Sequence, residues 1–322
     1  MAGIGERIAP SLPGGVQVKL LLAYIGVVLI WSTTPLGIKW SVESAYFVDA
    51  LFGRMALAAL FSWLLLRLRG GRLCWRGTAL RSYLAASLGI WGCMLMVYWS
   101  AQTLPSGVMS VLFGLSPLMT GVIATLVLGE RAFTPLRLLS LLLALAGLVV
   151  VFSGDLAVGE GQWPALLVNL TAVALFCVSA VWVKRVDAAV GPQQQATGSL
   201  LVSIPVFVLF WGLLSPAEPV MPGTRSLLAI AYLALFGSVI GFVLYFYILR
   251  NMTASQVSLI PMMTPCMALF LGYLLNDEAL ATTTLVGAAM IVSALGLYFG
   301  EGMVPRASGA LTKFRQRALE RR

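Results

Sequence analysis

Apolar residues run along this chain in ten helix-sized stretches that are separated by short polar gaps. An apolar stretch of about 20 residues matches a bilayer core of roughly 30 Å, and lipid offers no hydrogen bonds to bare backbone. The pattern therefore predicts an all-α integral membrane protein with ten transmembrane helices. The predicted spans are Leu20–Lys39, Tyr46–Leu66, Tyr83–Thr103, Gly107–Leu128, Pro135–Phe152, Trp163–Trp182, Ala196–Leu214, Leu227–Leu249, Ser255–Leu275 and Ala281–Phe299.

Composition strengthens this interpretation. Hydrophobic residues make up 60% of the 322 residues and charged residues only 10%, more apolar surface than a water-soluble chain could bury. The first apolar run is too long for a signal peptide, and no small-residue cleavage site follows it. Residues 1–19 and 301–322 are expected to form cytoplasmic segments, and the second of these is a basic tail.

Positive charge is sorted to alternate gaps, which predicts the topology. The basic residues of the even-numbered gaps and the tail are Arg67, Arg69, Arg72, Arg76, Arg81, Arg131, Arg137, Lys184, Arg185, Arg250, Arg306, Lys313, Arg315, Arg317, Arg321 and Arg322, whereas the odd-numbered gaps hold only Arg225. Cytoplasmic loops carry the excess of Lys and Arg. Both termini are therefore expected in the cytoplasm, with the chain crossing the cell inner membrane. The net charge of +9 then reports topology, and no nucleic-acid partner is expected.

The chain repeats itself with a shift of 148 residues, because Ser110 then meets Ser258 and Glu130 meets Glu278. The repeated phrases are LSPLMTGVIATLVLGERAFT and MTPCMALFLGYLLNDEALAT, each with a Pro inside a span and a Glu at its exit. The repeat is about five spans long, so its second copy must be inverted in the membrane. The predicted copies are residues 20–152 and 153–300. Inverted repeats are typical of secondary transporters that rock around a midplane site.

These features resemble the EamA family of the drug/metabolite transporter superfamily. The resemblance rests on Trp31–Lys39 (WSTTPLGIK), on Arg54 followed by Ala56–Ala59, and on the two repeated phrases. It covers about Leu20 to Phe299. It implies ten helices in two inverted halves, a central cavity lined mainly by spans 1, 3, 4, 6, 8 and 9, and export or exchange of small metabolites.

Arg54 is the most informative single residue, since it lies about 12 Å below the outer boundary of the second span at 1.5 Å per residue. A charge at that depth is costly unless it is paired or hydrated. The functional interpretation is a substrate contact that faces the cavity. The alternatives are an ion pair, for instance with Asp49, or snorkelling to the surface. Asp49 is a poor intrahelical partner at five residues' separation.

Other candidates follow the faces of the spans. The predicted substrate contacts besides Arg54 are Lys39, Trp31, Tyr98, Gln102, Ser110, Tyr245 and Ser258, and the predicted gating or hinge residues are Pro35, Pro117 and Pro265. Pro35 is expected to interrupt the first helix. Each candidate keeps a structural alternative: Lys39 can snorkel, prolines can kink helices for packing, and small residues often mark close helix contacts. Glu130 and Glu278 favour capping and loop anchoring over proton coupling.

The residue types present narrow the chemistry. There is no histidine, and the four cysteines lack metal-ligand spacing, so no metal, cofactor or catalytic residue is expected. The named charges near the cavity are positive, and no acidic residue lies mid-span. The sequence therefore predicts a secondary exporter of small anionic or zwitterionic metabolites, such as amino acids, driven by a coupling ion such as a proton or by a solute gradient. The alternatives are a lipophilic drug exporter, an intramembrane enzyme and a non-transporting receptor.

Overall fold

The protein is described by a computed structural model that covers residues 14–104, 106–130, 133–152, 161–216, 221–265 and 282–303. These residues form helices and connecting turns, and no strand occurs among them. The helices are α1 (Gly14–Ser41), α2 (Phe47–Leu68), α3 (Gly77–Ser100), α4 (Ser106–Phe113), α5 (Ser116–Leu128), α6 (Pro135–Phe152), α7 (Trp163–Val186), α8 (Pro192–Leu214), α9 (Thr224–Asn251), α10 (Ala254–Val257), α11 (259–265) and α12 (Thr282–Met303).

Six of the described helices are long and apolar enough to cross a bilayer: α1, α2, α3, α7, α8 and α9. The all-helical membrane class is therefore confirmed. Helix ends differ from the predicted spans where polar residues prolong a helix. For example, α8 begins at Pro192 rather than Ala196, and the Gln194 side chain accepts a hydrogen bond from the Gly191 amide at 3.0 Å.

Two predicted spans have internal breaks. The span predicted over Gly107–Leu128 consists of α4 and α5, which a turn at residues 114–115 separates. In the span predicted over Ser255–Leu275, a turn at Ser258 separates α10 from α11, and residues 266–281 lie outside the described residues. Hydropathy misses such breaks because the residues of the turns are themselves apolar or small.

Helices α3 and α9 each contain a wide π-helical segment, at Leu88–Gly92 and Leu233–Ile240. A π-turn misaligns the backbone ladder, so carbonyls near it can accept hydrogen bonds from other helices. The Ser179 hydroxyl of α7 donates to the Ala85 carbonyl at 2.8 Å, and the Trp31 indole of α1 donates to the Gly237 carbonyl at 3.3 Å. Both wide segments are thus held by side chains of a neighbouring helix.

The segments that connect successive membrane-spanning helices fall into two groups, one at each end of the molecule. The ends are named here after the α1–α2 and α2–α3 connections. At the α1–α2 end, Gly223 N donates to Ser44 Oγ at 2.8 Å, and the Gln162 amide donates to the Thr103 carbonyl at 3.1 Å. At the α2–α3 end, Arg69 donates to the Gln193 side chain at 3.0 Å, and Arg250 donates to the Val190 carbonyl at 3.3 Å. The hydrogen bonds therefore group the gaps as the alternation of basic residues predicts.

Helices from the two halves of the chain are interleaved. Helix α1 packs against α9, α2 packs against α8 and α9, α3 packs against α7 and α8, and α6 packs against α12. One large apolar core runs through α1, α2, α3, α7, α8 and α9. A central cavity lies where α1, α2, α3, α4, α7, α9 and α11 approach one another.

Candidate functional site

The central cavity has a volume of about 90 Å³. This is below the roughly 300–1,000 Å³ of clefts that bind small molecules, so the cavity is narrow in this conformation. The residues that line it are Trp31, Thr34, Pro35, Ile38, Arg54, Gly89, Met94, Val97, Met109, Ser110, Phe113, Phe176, Gly237, Phe242, Pro261 and Thr264. The cavity wall is therefore largely apolar and aromatic, and Arg54 is its one ionisable group among the described residues.

Arg54 lies on the buried face of α2 and is only 1% exposed. Its Nε donates to Ser238 Oγ at 3.0 Å, and its Nη1 donates to Tyr98 Oη at 3.4 Å. Both partners are neutral. No carboxylate of the described residues pairs with Arg54, since Asp49 instead accepts from Trp211 at 2.8 Å and from Ser215 at 2.6 Å. The Asp49 pairing and the snorkelling alternatives are therefore wrong for this structure.

Three predicted aromatic residues surround this position. Tyr98 is fully buried and reaches the cavity through its contact with Arg54, whose guanidinium also lies 5.9 Å from the Tyr98 ring centre. The Trp31 ring lines the cavity and packs against Tyr245, with 5.2 Å between ring centres. Tyr245 stands behind the cavity wall, against Phe176 at 5.5 Å. Of the three, Trp31 alone is part of the lining itself.

The two repeat-related serines have different surroundings. Ser110 lines the cavity, and its hydroxyl donates to the Ser106 carbonyl at 2.9 Å. Ser258 is also buried, but its hydroxyl donates to the Ser255 carbonyl at 2.8 Å and it does not line the cavity. Thr264 takes part in the lining instead. The turn at Ser258 starts a new helix there, so the face predicted from one unbroken span does not hold.

Lys39 and Gln102 lie together at the α1–α2 end, in a separate pocket of about 520 Å³. The Lys39 ammonium donates to the Ala101 carbonyl at 2.9 Å, and the exposed Gln102 amide donates to the Trp99 carbonyl at 3.1 Å. Arg225 and Glu43 form an ion pair at 3.4 Å in the same pocket. This predicted pair of contacts therefore belongs to a vestibule rather than to the central cavity.

The prolines serve different local structures. Helix α1 continues through Pro35 without a break, so the expected interruption is wrong, although Pro35 does line the cavity. Pro117 lies in the first turn of α5, where proline costs no hydrogen bond. Pro265 is buried at the last described position of α11.

Glu130 follows the left-handed Gly129 that ends α5, and its carboxylate caps α10. It accepts from the Ala254 amide at 3.0 Å, the Ser255 amide at 3.3 Å and the Ser255 hydroxyl at 2.7 Å. A carboxylate at this position also complements the positive end of the helix dipole. Capping and anchoring is therefore what Glu130 does in this structure. Glu278 lies outside the described residues.

Sequence reasoning missed Ser238, Phe176, Phe242 and Thr264. Ser238 pairs with Arg54 across 184 residues of sequence, and a lone hydroxyl in an apolar span gives little signal of such a pairing. One feature of the sequence could have indicated it: Ser238 lies between Gly237 and Gly241, and glycines in a membrane helix allow neighbouring helices to pack closely. Here Gly237 and Gly241 lie against residues of α1 and α2. Phe176 and Phe242 look like ordinary core residues in the sequence.

Comparison with known proteins supplies an independent observation. The model of the EamA-like transporter family matches residues 18–153 and residues 163–300. Together the two matches cover most of the chain, and the gap between them lies between α6 and α7.

Several curated proteins are similar over most of the chain. The uncharacterized inner membrane transporter YedA of Escherichia coli K12 is 27% identical over 85% of this chain and 89% of its own length. The uncharacterized transporter YoaV of Bacillus subtilis is 26% identical over 85% of this chain and 94% of its own. One solved structure superimposes with a TM-score of 0.72 at 18% identity, covering 87% of this chain and 96% of its own, so it shares the fold.

Proposed function

The chain belongs to the EamA-like transporter family of multi-pass membrane proteins, and we propose that it exports small anionic or zwitterionic metabolites, amino acids among them. It works by alternating access around the central cavity. A coupling ion such as a proton, or a solute gradient, drives it.

The observation that carries this proposal is the buried Arg54 at the cavity wall. A desolvated charge costs several kcal/mol unless another charge or several hydrogen bonds compensate it. The described partners of Arg54 are two neutral hydroxyls, which compensate a guanidinium only in part. An anionic group of a bound solute supplies the missing countercharge, so the transporter binds anions at the place where a purely structural arginine would have a carboxylate.

The same charge argues against the drug-exporter alternative. A lipophilic cation would have to enter the cavity beside a guanidinium, and like charges in a low dielectric repel strongly. A cation exporter needs a carboxylate there, and none of the described lining residues is acidic. The enzyme alternative is weaker still, because the chain contains no histidine and its relatives are named as transporters.

The proposed architecture has ten helices in two inverted repeats, residues 20–152 and 153–300. The two family matches, 18–153 and 163–300, support this division. The wide segments of α3 and α9 support it as well, because a shift of 148 residues carries Leu88–Gly92 onto residues 236–240, inside Leu233–Ile240. Both termini are cytoplasmic and the α1–α2 end faces outward, as the basic gaps require. Inner-membrane localisation follows the name of the relative YedA.

Movement between the open states is expected at the breaks of the helices. Pro117 lies just after the turn between α4 and α5, and Pro265 occupies the equivalent position in the repeat. Pro35 acts in the cavity wall without breaking α1. Ser110 contacts the solute, whereas Lys39 and Gln102 meet it in the vestibule at the outward end.

Counterflow in proteoliposomes tests the proposal. Vesicles with purified protein are loaded with an unlabelled mixture of amino acids and organic acids and then given trace amounts of each labelled compound. Transient accumulation of at least one labelled anion or zwitterion, absent from protein-free vesicles, is expected. If no compound exchanges while the protein remains folded and inserted, the transport proposal fails.

A further inference from the structure

The wall of the central cavity combines one cation with aromatic and aliphatic surface. Its polar side chains among the described residues are Thr34, Arg54, Ser110 and Thr264. The three hydroxyl protons are already committed, since they are donated to the carbonyls of Ile30, Ser106 and Pro261. A solute therefore finds one strong hydrogen-bonding group, Arg54, in a wall that is otherwise suited to an apolar body.

Arg54 has donors to spare. A guanidinium carries five N–H donors, and a carboxylate binds two of them side by side. Nε bonds to Ser238 and Nη1 bonds to Tyr98, whereas Nη2 donates to no described residue. Gly237 adjoins this nitrogen, because an added Cβ there would lie only 3.2 Å from Nη2. Because Arg54 lines the cavity and Nη2 has no described partner, this nitrogen is available to the acid group of a solute.

An ammonium group finds no matching partner in the same cavity. None of the described lining residues is acidic. Hydrogen bonds to neutral hydroxyl oxygens do not compensate the hydration free energy that an ammonium group gives up when it leaves water. The aromatic faces offer little substitute, since Trp31 already packs against Tyr245 and Phe176 at 5.2 and 6.0 Å. Arg54 itself repels a second positive charge. The ammonium group of a zwitterion therefore weakens its binding in this cavity.

We propose that the preferred substrate is an amphipathic monocarboxylate, and that a free amino group on it weakens binding. The carboxylate lies on the Nη edge of Arg54, and an aromatic or branched aliphatic body lies against Trp31, Phe113, Phe176 and Phe242. This inference rests on the proposed transport function and narrows its substrate class. Polyhydroxylated or multiply charged solutes fit poorly, because the cavity has too few polar groups to replace their water.

Four ligands with a shared phenyl body test the inference: 3-phenylpropanoate, phenylalanine, 3-phenylpropanamide and 2-phenylethylamine. Binding to the purified protein in detergent is measured by calorimetry. We expect 3-phenylpropanoate to bind about tenfold or more tightly than phenylalanine. The reason is that the positive guanidinium of Arg54 repels the positive amino group of phenylalanine. The amide and the amine are expected not to bind.

Arginine variants provide the matched controls. Arg54→Ala should abolish binding of 3-phenylpropanoate, and Arg54→Lys should weaken it, because lysine keeps the charge but loses the fork. Arg67→Ala removes an exposed arginine of the same helix, beside Trp63, and should leave binding unchanged. If Arg54→Ala fails to fold, the ranking of the four ligands on the wild-type protein still decides the matter.

The outcomes separate this inference from the proposed function. Phenylalanine binding as tightly as the acid, the amide matching the acid, or no binding by any of the four would each overturn the inference. Counterflow of labelled amino acids without counterflow of 3-phenylpropanoate would overturn it too, and would leave the transport proposal standing. Tight, Arg54-dependent binding of 3-phenylpropanoate without counterflow of any solute would support the site and overturn transport.

Discussion

Gly237 of α9 lies against the guanidinium of Arg54, so a side chain at this position would crowd Nη2. A Cβ built at Gly237 would lie 3.2 Å from Arg54 Nη2 and 3.6 Å from Thr34 Oγ1. The absence of a side chain at Gly237 therefore helps to set the position of the cavity's one described cation.

Gly237→Ala should weaken substrate binding by shifting the guanidinium, with little loss of stability because the end of an arginine side chain can move. We expect a several-fold loss of transport and a small change in thermal stability in detergent. Gly53→Ala is the matched control, since its Cβ would meet only Ile230 Cγ2 at an ordinary 3.6 Å. Equal transport by both variants would show that the position of Nη2 does not matter.

Arg54→Ala should lower transport more than Arg54→Lys, with both proteins still inserted in the membrane. A hydrogen bond to a charged group is worth about 1.5–3 kcal/mol, so we expect a loss of about 10–100-fold for alanine. The measurement is initial uptake rate in proteoliposomes at matched protein content, with Arg67→Ala as control. Normal transport by Arg54→Ala would make this arginine a purely structural charge.

Glu130→Ala should destabilise the protein, because the amides of Ala254 and Ser255 lose their acceptor. Loss of a cap costs about 0.5–2 kcal/mol, which thermal unfolding in detergent can resolve. Glu130→Gln keeps one acceptor oxygen and should fall between alanine and wild type. Unchanged stability, together with loss of the pH dependence of transport, would instead assign Glu130 to proton coupling.

Cysteine labelling should distinguish the two serines that the repeat makes equivalent. In a background without the native cysteines, Ser110→Cys should react with a membrane-impermeant thiol reagent, and 3-phenylpropanoate should slow the reaction. Ser258→Cys should react far more slowly, since Ser258 is buried outside the cavity wall. Reaction of both at similar rates would mean that α10 and α11 move enough to expose Ser258 to water.

Reporter fusions should test the orientation of the two ends. A fusion after Met252, at the α2–α3 end, is expected to report from the cytoplasm, and a fusion after Ser215, at the opposite end, from outside. The reason is the excess of arginine and lysine in the first group of gaps. The reverse readings would mean that the protein has the opposite orientation in the membrane, with the vestibule that contains Lys39 facing the cytoplasm.

The sequence predicts the helical class and the grouping of the gaps well, because both depend on local hydropathy and charge. The start of α7 at Trp163 agrees with the predicted span. The turn at residues 114–115 could not be predicted, since nothing in the local hydropathy distinguishes it from helix. At Pro35 the sequence predicts a break that the structure does not have. Proline lacks the N–H that a helix interior needs, but α1 continues through Pro35 within its packed surroundings.

The candidate site was predictable only in part, for a similar reason. The cost of a charge at mid-depth identified Arg54 from one residue and its position. Its partner Ser238 depends on how α2 and α9 pack, which no local pattern contains. The helical period places Gln102 on the same face as Tyr98, but it gives direction around the helix axis and not depth in the membrane. Gln102 and Lys39, which ends its predicted span, therefore lie in the vestibule, apart from Arg54.

The distance in sequence between Arg54 and Ser238 has a consequence for biogenesis. The two residues are 184 positions apart, so at about 5–20 residues per second the ribosome needs roughly 10–40 s to produce the second after the first. During that time α2 carries its guanidinium into the bilayer without α9. The nascent first half must keep this charge in contact with water or lipid headgroups until α9 arrives. Each newly made molecule therefore completes the contact between Arg54 and Ser238 only once α9 is inserted.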